Sequence, residues 1–71
     1  MKDKIPPMTV GQQLAFWRGQ RGLSQDSLSA AASVSVGTIS RLENGQRVPT
    51  LRTMQRLAHA LGVPVAALLP S

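Results

Sequence analysis

The stretch from Leu23 to Gly45 carries two helix-start signals with almost nothing between the helices they open. Ser24 and Ser35 are hydroxyl residues of the kind whose side-chain oxygen accepts from the free amides of a first helical turn. Leu23 with Leu28, and Val34 with Ile39, stand at the spacing by which apolar residues flanking a cap pack across that turn. The first signal predicts a helix from Gln25 to about Ala32. The second predicts one that stops at Asn44-Gly45, a dipeptide suited to a helix C-terminus. Only Ser33-Val34 and the cap remain as the joint. A joint that short sets two helices across each other and leaves no room for a strand.

The same punctuation recurs along the chain. Thr9 and Gln12 have capping-box spacing, and helix 1 runs to about Arg21 before Gly22. Val10, Leu14, Trp17, Arg18 and Arg21 share one face of it. Gln46 to Pro49 form a loop, and Thr50 caps a fourth helix that Gly62 ends. Leu51, Met54, Leu57, Ala58 and Leu61 make its apolar stripe. Pro64 suits the first turn of a short fifth helix over about Val65 to Leu69. Residues 1 to 8, with two prolines, read as a flexible N-terminal arm. Residues 9–71 are then one domain, an all-α, compact five-helix bundle.

A core built from 71 residues is thin, which favours self-association. Eight Lys and Arg stand against Asp3, Asp26 and Glu43, giving a net charge of +5. That balance points to a polyanionic partner. No apolar run approaches membrane-spanning length, and the scattered arginines and short last helix make a poor membrane anchor. With no cysteine, one histidine and three acids, no nucleophile–base pair and no metal site can be composed, so neither catalysis nor a cofactor is expected. The absence of cysteine suits a reducing, cytoplasmic setting. His59 falls on the polar side of helix 4. Phe16 points away from Leu14, as a residue on a partner surface or as a single exposed aromatic would.

Helix 3 carries the functional signal. With Val34, Ile39 and Leu42 turned to the core, a rotation of about 100° per residue puts Gly37, Ser40, Arg41 and Asn44 on the opposite face. That face is small, polar and basic, suited to a groove lined with hydrogen-bonding base edges. Arg18 and Glu43 each fall one turn from a core residue, Leu14 and Ile39, and a charge so placed needs a partner.

The runs Leu23-Ser24-Gln25-Asp26-Ser27-Leu28 and Val34-Ser35-Val36-Gly37-Thr38-Ile39-Ser40-Arg41-Leu42-Glu43-Asn44-Gly45 resemble the phage-repressor and Cro-like (Xre-type) helix-turn-helix family. Pro49-Thr50-Leu51 through Ala58, Ala60-Leu61-Gly62-Val63 and Leu68-Leu69 resemble its fourth and fifth helices. The likeness covers residues 9 to 69. It implies a bacterial or phage-encoded transcriptional regulator, most readily a repressor, that binds double-stranded DNA as a homodimer. It implies base-reading positions at Val36, Gly37, Thr38 and Arg41, with Ser40 a further candidate on the same face. It implies backbone contacts at Gln25 and Asn44, joined by the caps Ser24 and Ser35 and by Arg47 in the following loop. Arg18 and Glu43 match an internal ion pair of some members. One departure stands out: the family's turn usually holds glycine where this chain has Ser33, and a left-handed backbone costs a serine about 1 kcal/mol.

Each residue also has a plainer reading. Arg41 can meet guanine or only a phosphate. Val36 and Gly37 can be ordinary early helix positions, and Thr38 and Ser40 ordinary helix surface. Lys2 and Lys4 form either a DNA-touching arm or an unstructured start, and the composition favours the second. The competing function is a protein-interaction or antitoxin-type module on the same fold, whose mark would be an apolar outer face on helix 3. A dimer seam through Val65, Leu68 and Leu69 is compatible with either.

Overall fold

The computed structural model describes residues 8–71; Lys2, Lys4 and nearly all of the arm expected at the N-terminus lie outside them. Four α-helices form where the caps predict them: α1 Val10–Gln20, α2 Gln25–Ala32, α3 Val36–Glu43 and α4 Leu51–Leu61. Each starts on a hydroxyl. Thr9 accepts from the Gln12 amide while the Gln12 side chain accepts from the Thr9 amide, closing the capping box. Ser24, Ser35 and Thr50 accept from the amides of Ser27, Thr38 and Thr53. In all three the residue receiving the cap is itself a hydroxyl, and the two oxygens hydrogen-bond to each other.

The helix ends are equally regular. Gly22, Gly45, Gly62 and Ser33 hold positive φ. After each, the next amide reaches back to a carbonyl of the last turn: Leu23 to Arg18, Gln46 to Arg41, Val63 to Ala58 and Val34 to Ser29. This is the Schellman closure, which satisfies carbonyls left over by the helix. Ser33, at φ 56° and ψ 41°, performs the turn that glycine performs at the other three ends.

The core is one cluster drawn from every element: Leu14 of α1, Leu28 and Ala32 of α2, Val34, Ile39 and Leu42 around α3, Leu57, Ala58 and Leu61 of α4, and Leu68. Trp17, Leu23, Met54, Ala60, Val63 and Val65 pack at its edge. α1 lies against α3, and α2 bridges α3 and α4.

Three expectations change. The fifth helix is a single 3-10 turn, Val65–Leu68. Leu69 precedes Pro70 and is therefore pushed to extended backbone, φ −72° and ψ 151°, which leaves too few residues for an α-helical turn. Leu51 leaves the α4 stripe: at the first helical position it overhangs the core and is 63% exposed. Leu68 cannot serve a dimer seam, because it is fully buried in the core while Leu69 alone of that trio is open. Ser71 is tied to the first described residue, its amide donating to the Met8 carbonyl at 3.0 Å.

Candidate nucleic-acid interface

Both faces of α3 follow from its sequence. Ile39 and Leu42 vanish into the core, while Arg41 and Asn44 are exposed and Gly37 and Ser40 half-exposed. Val36, at the helix tip, is 40% exposed. Gly37 and Arg41 are four residues apart and so are neighbours on the outer stripe. The Arg41 guanidinium folds back along the helix, and a Cβ built on Gly37 would lie 3.2 Å from Arg41 Nη1. The missing side chain at 37 thus makes the space in which the arginine lies. Thr38 is half-buried, and its hydroxyl accepts from Ser35 at 2.8 Å, leaving its own proton free to donate.

Of the positions expected to meet a nucleic-acid backbone, Ser24, Ser35, Asn44 and Arg47 are all exposed. Neither Arg41 nor Arg47 forms an ion pair among the described residues, so both guanidiniums are available to an anion. Gln25, the first residue of α2, behaves differently. Its Nε2 donates to Glu43 Oε1 at 3.0 Å, tying the start of α2 to the end of α3.

Glu43 is the centre of a small polar knot. Arg18 Nε donates to Oε2 at 2.7 Å and Nη2 to Oε1 at 2.9 Å, a two-pronged pair whose geometry suits the planar guanidinium. Arg18 Nη1 continues to the Leu23 carbonyl at 2.9 Å. The expected internal pair is therefore present, and it joins α1, the α1–α2 turn, α2 and α3. Burial pushes the Glu43 carboxyl up, but the hydrogen bonds from Arg18 and Gln25 and the guanidinium charge outweigh it and hold the group below its ordinary value.

Three contacts escaped the sequence reading. The Gln25–Glu43 bond is one; its trace in the sequence is only that both residues flank crossed helices. Arg21 is the second, donating from Nε to the Leu61 carbonyl at 2.7 Å and standing over the Trp17 ring. It caps the end of α4 from the residue that follows α1. Gly11 is the third. A Cβ there would collide with the Leu42 carbonyl oxygen and lie 3.0 Å from its carbon. A glycine inside a first helical turn is costly enough to signal a reason, and the reason is the close approach of α1 to the end of α3.

Beside this seam lies an open apolar groove of about 500 Å³ between the start of α1 and the loop after α3, walled by Val10, Leu42, Val48, Pro49 and Pro70. No cluster of His, Asp or Glu that could hold a metal occurs among the described residues.

Comparison with known proteins bears on this arrangement. A family model described as helix-turn-helix (HTH_3) matches residues 14–68. The chain is 43% identical over 54 residues to an uncharacterised HTH-type transcriptional regulator, y4dJ, of Sinorhizobium fredii, covering 76% of this chain and 70% of that one. It is 42% identical over 62 residues to the HTH-type transcriptional repressor RghR of Bacillus subtilis, covering 86% of this chain but only 46% of the relative. Among solved structures it resembles the restriction-modification controller protein C.AhdI from Aeromonas hydrophila, with a TM-score of 0.81 and 32% identity over 84% of this chain and 91% of that one.

Proposed function

Because the chain belongs to the Xre/Cro-like helix-turn-helix family, we propose that it is a sequence-specific double-stranded-DNA-binding regulator, acting as a repressor, that lays α3 in the major groove. The observation that carries this reading is the split of α3. Its inner residues are completely buried and so fix its orientation, while Gly37, Ser40, Arg41 and Asn44 form an outward stripe whose arginine has no ion-pair partner among the described residues. A hydrophobic partner surface would need apolar residues there, and Val36 is the only one.

In this reading Arg41 reads guanine through two hydrogen bonds, and Val36, Gly37, Thr38 and Ser40 meet neighbouring base edges. Ser24, Gln25, Ser35, Asn44 and Arg47 hold phosphates, the first three at helix N-termini where anions are favoured. Arg18 and Glu43 hold the frame. One α3 spans too few base pairs for high specificity, so two copies read an inverted repeat with half-sites about 34 Å apart.

The test is selection from random duplexes of about 30 base pairs at physiological salt, where non-specific binding is weak. Enrichment of an inverted repeat is the expected result. A single enriched half-site would remove the dimer from the proposal, and no enrichment despite low-salt binding would remove sequence-specific recognition.

A further inference from the structure

We infer that Glu43 is a positioning residue for the DNA-backbone contact at the start of α2: its carboxylate sets the orientation of the Gln25 carboxamide that meets the phosphate. The inference rests on the reading of Gln25 as a phosphate contact and adds what makes that contact directional.

An amide side chain can present either its oxygen or its nitrogen to a neighbour, and only the nitrogen can donate to a phosphate. An ionised carboxylate can only accept. Glu43 Oε1 at 3.0 Å from Gln25 Nε2 therefore fixes which end of the amide faces the knot. The nitrogen carries a second hydrogen, and among the described residues nothing else is hydrogen-bonded to that side chain. That hydrogen is left for an outside acceptor beside the open amides of α2. Glu43 is itself held rigidly. Two bonds from Arg18 fix the plane of its carboxylate, and its side chain is 8% exposed. The chain of contacts runs from α1 through α3 to the first residue of α2, so the phosphate-facing group is aimed by the same pair that locks the helices. A merely structural ion pair would need no bond to Gln25.

Charge alone makes the opposite prediction. Removing an acid from a DNA-binding protein strengthens its attraction to phosphate. Loss of aim weakens binding and leaves the slope unchanged, because no cation is gained or lost at the phosphate. The experiment titrates the protein, Gln25→Ala, Glu43→Gln and the double variant against a labelled 30-base-pair random-sequence duplex over a range of salt. It is run at a temperature where circular dichroism shows each variant folded. Expected is a loss of about tenfold for each single variant with the salt slope of the parent, and no further loss in the double. Glu43→Gln binding as well as or better than the parent while Gln25→Ala is weakened overturns the positioning role and leaves the phosphate contact standing. Gln25→Ala binding like the parent overturns the contact itself and the inference with it. If Glu43→Gln does not fold, Glu43→Asp keeps the charge and withdraws it by one methylene. The same loss with that variant supports the inference, and parental binding overturns it.

Discussion

The two sides of α3 differ in how tightly they are determined. Its inner side is fixed three ways: by Ile39 and Leu42 in the core, by the Glu43 knot, and by the near-contact of Gly11 with the Leu42 carbonyl. Its outer side holds an arginine lying over a glycine and polar groups open to solvent. The inner side allows almost no change without loss of the fold. The outer side can change freely in stability terms and, in the proposed reading, carries recognition instead. A regulator built this way can alter what it reads without altering how it folds.

The sharpest way to break the inner side is Gly11→Ala. The added methyl meets backbone, which cannot rotate away, so α1 must move from α3. Overpacking costs typically about 1–3 kcal/mol and more where nothing can yield, so a loss of about 3 kcal/mol is expected. In a domain this small that lowers the thermal midpoint by roughly 12–24 °C. An unchanged midpoint would show that the two helices are not in close approach.

Next in size is Arg18→Met, which leaves the Glu43 carboxylate half-served in a mostly buried place. A fully buried pair broken on one side costs about 3–5 kcal/mol, and the partial exposure of Arg18 reduces this to about 2 kcal/mol. The same pair gives an acid limit. The folded Glu43 pKa lies below its ordinary value of 4.5. Its contribution to stability is therefore full above that value and is lost as pH falls through the lower folded pKa. Chemical denaturation from pH 7 to pH 3 should show a steep loss below about 4.5 that is shallower in Glu43→Gln. Parallel curves for the two proteins would contradict the assignment.

On the outer side, Arg41→Ala should leave the denaturation midpoint within about 0.5 kcal/mol of the parent. It should cost about 1–3 kcal/mol of discrimination at one base pair of the selected site. If instead affinity falls equally for all sequences, Arg41 is a phosphate contact. If the fold weakens, the two sides of α3 are less separate than drawn.

The same division governs what could be read from sequence. Local rules located the caps at Thr9, Ser24, Ser35 and Thr50 and the stops after each helix, because these depend on residues within one turn. Periodicity then gave the two sides of α3 and the need for an Arg18–Glu43 pair. It erred at Leu51, which a helix end takes out of the pattern, and the Pro64 signal overran at Leu69, where the following proline forces extended backbone. It could not find Gly11, Arg21 or the Gln25–Glu43 bond, because each depends on how two distant helices meet. At the candidate interface the residue types were legible. The lie of Arg41 over Gly37 was not, since only a built helix shows where a long side chain goes.

The smallest expected effect lies at the joint between α2 and α3 and is of opposite sign. Four helix ends use the same left-handed turn, and three use glycine; the fourth is Ser33 at φ 56°. A side chain in that conformation costs about 1–2 kcal/mol, while glycine loses about 0.5–1 kcal/mol through its freedom in the unfolded chain. Ser33→Gly should therefore stabilise the domain by about 0.5–1 kcal/mol, a rise of roughly 2–8 °C in the thermal midpoint. Ser33 is exposed, and the closure around it uses backbone atoms, its own amide and that of Val34 both reaching the Ser29 carbonyl. The angle between α2 and α3 should be kept, and DNA affinity should not change. A higher midpoint with weaker binding would mean that the serine hydroxyl meets the DNA, placing the turn itself on the outer, recognising side. A lower midpoint would mean that the side chain stabilises its own left-handed backbone, and this helix end would then differ in kind from the other three.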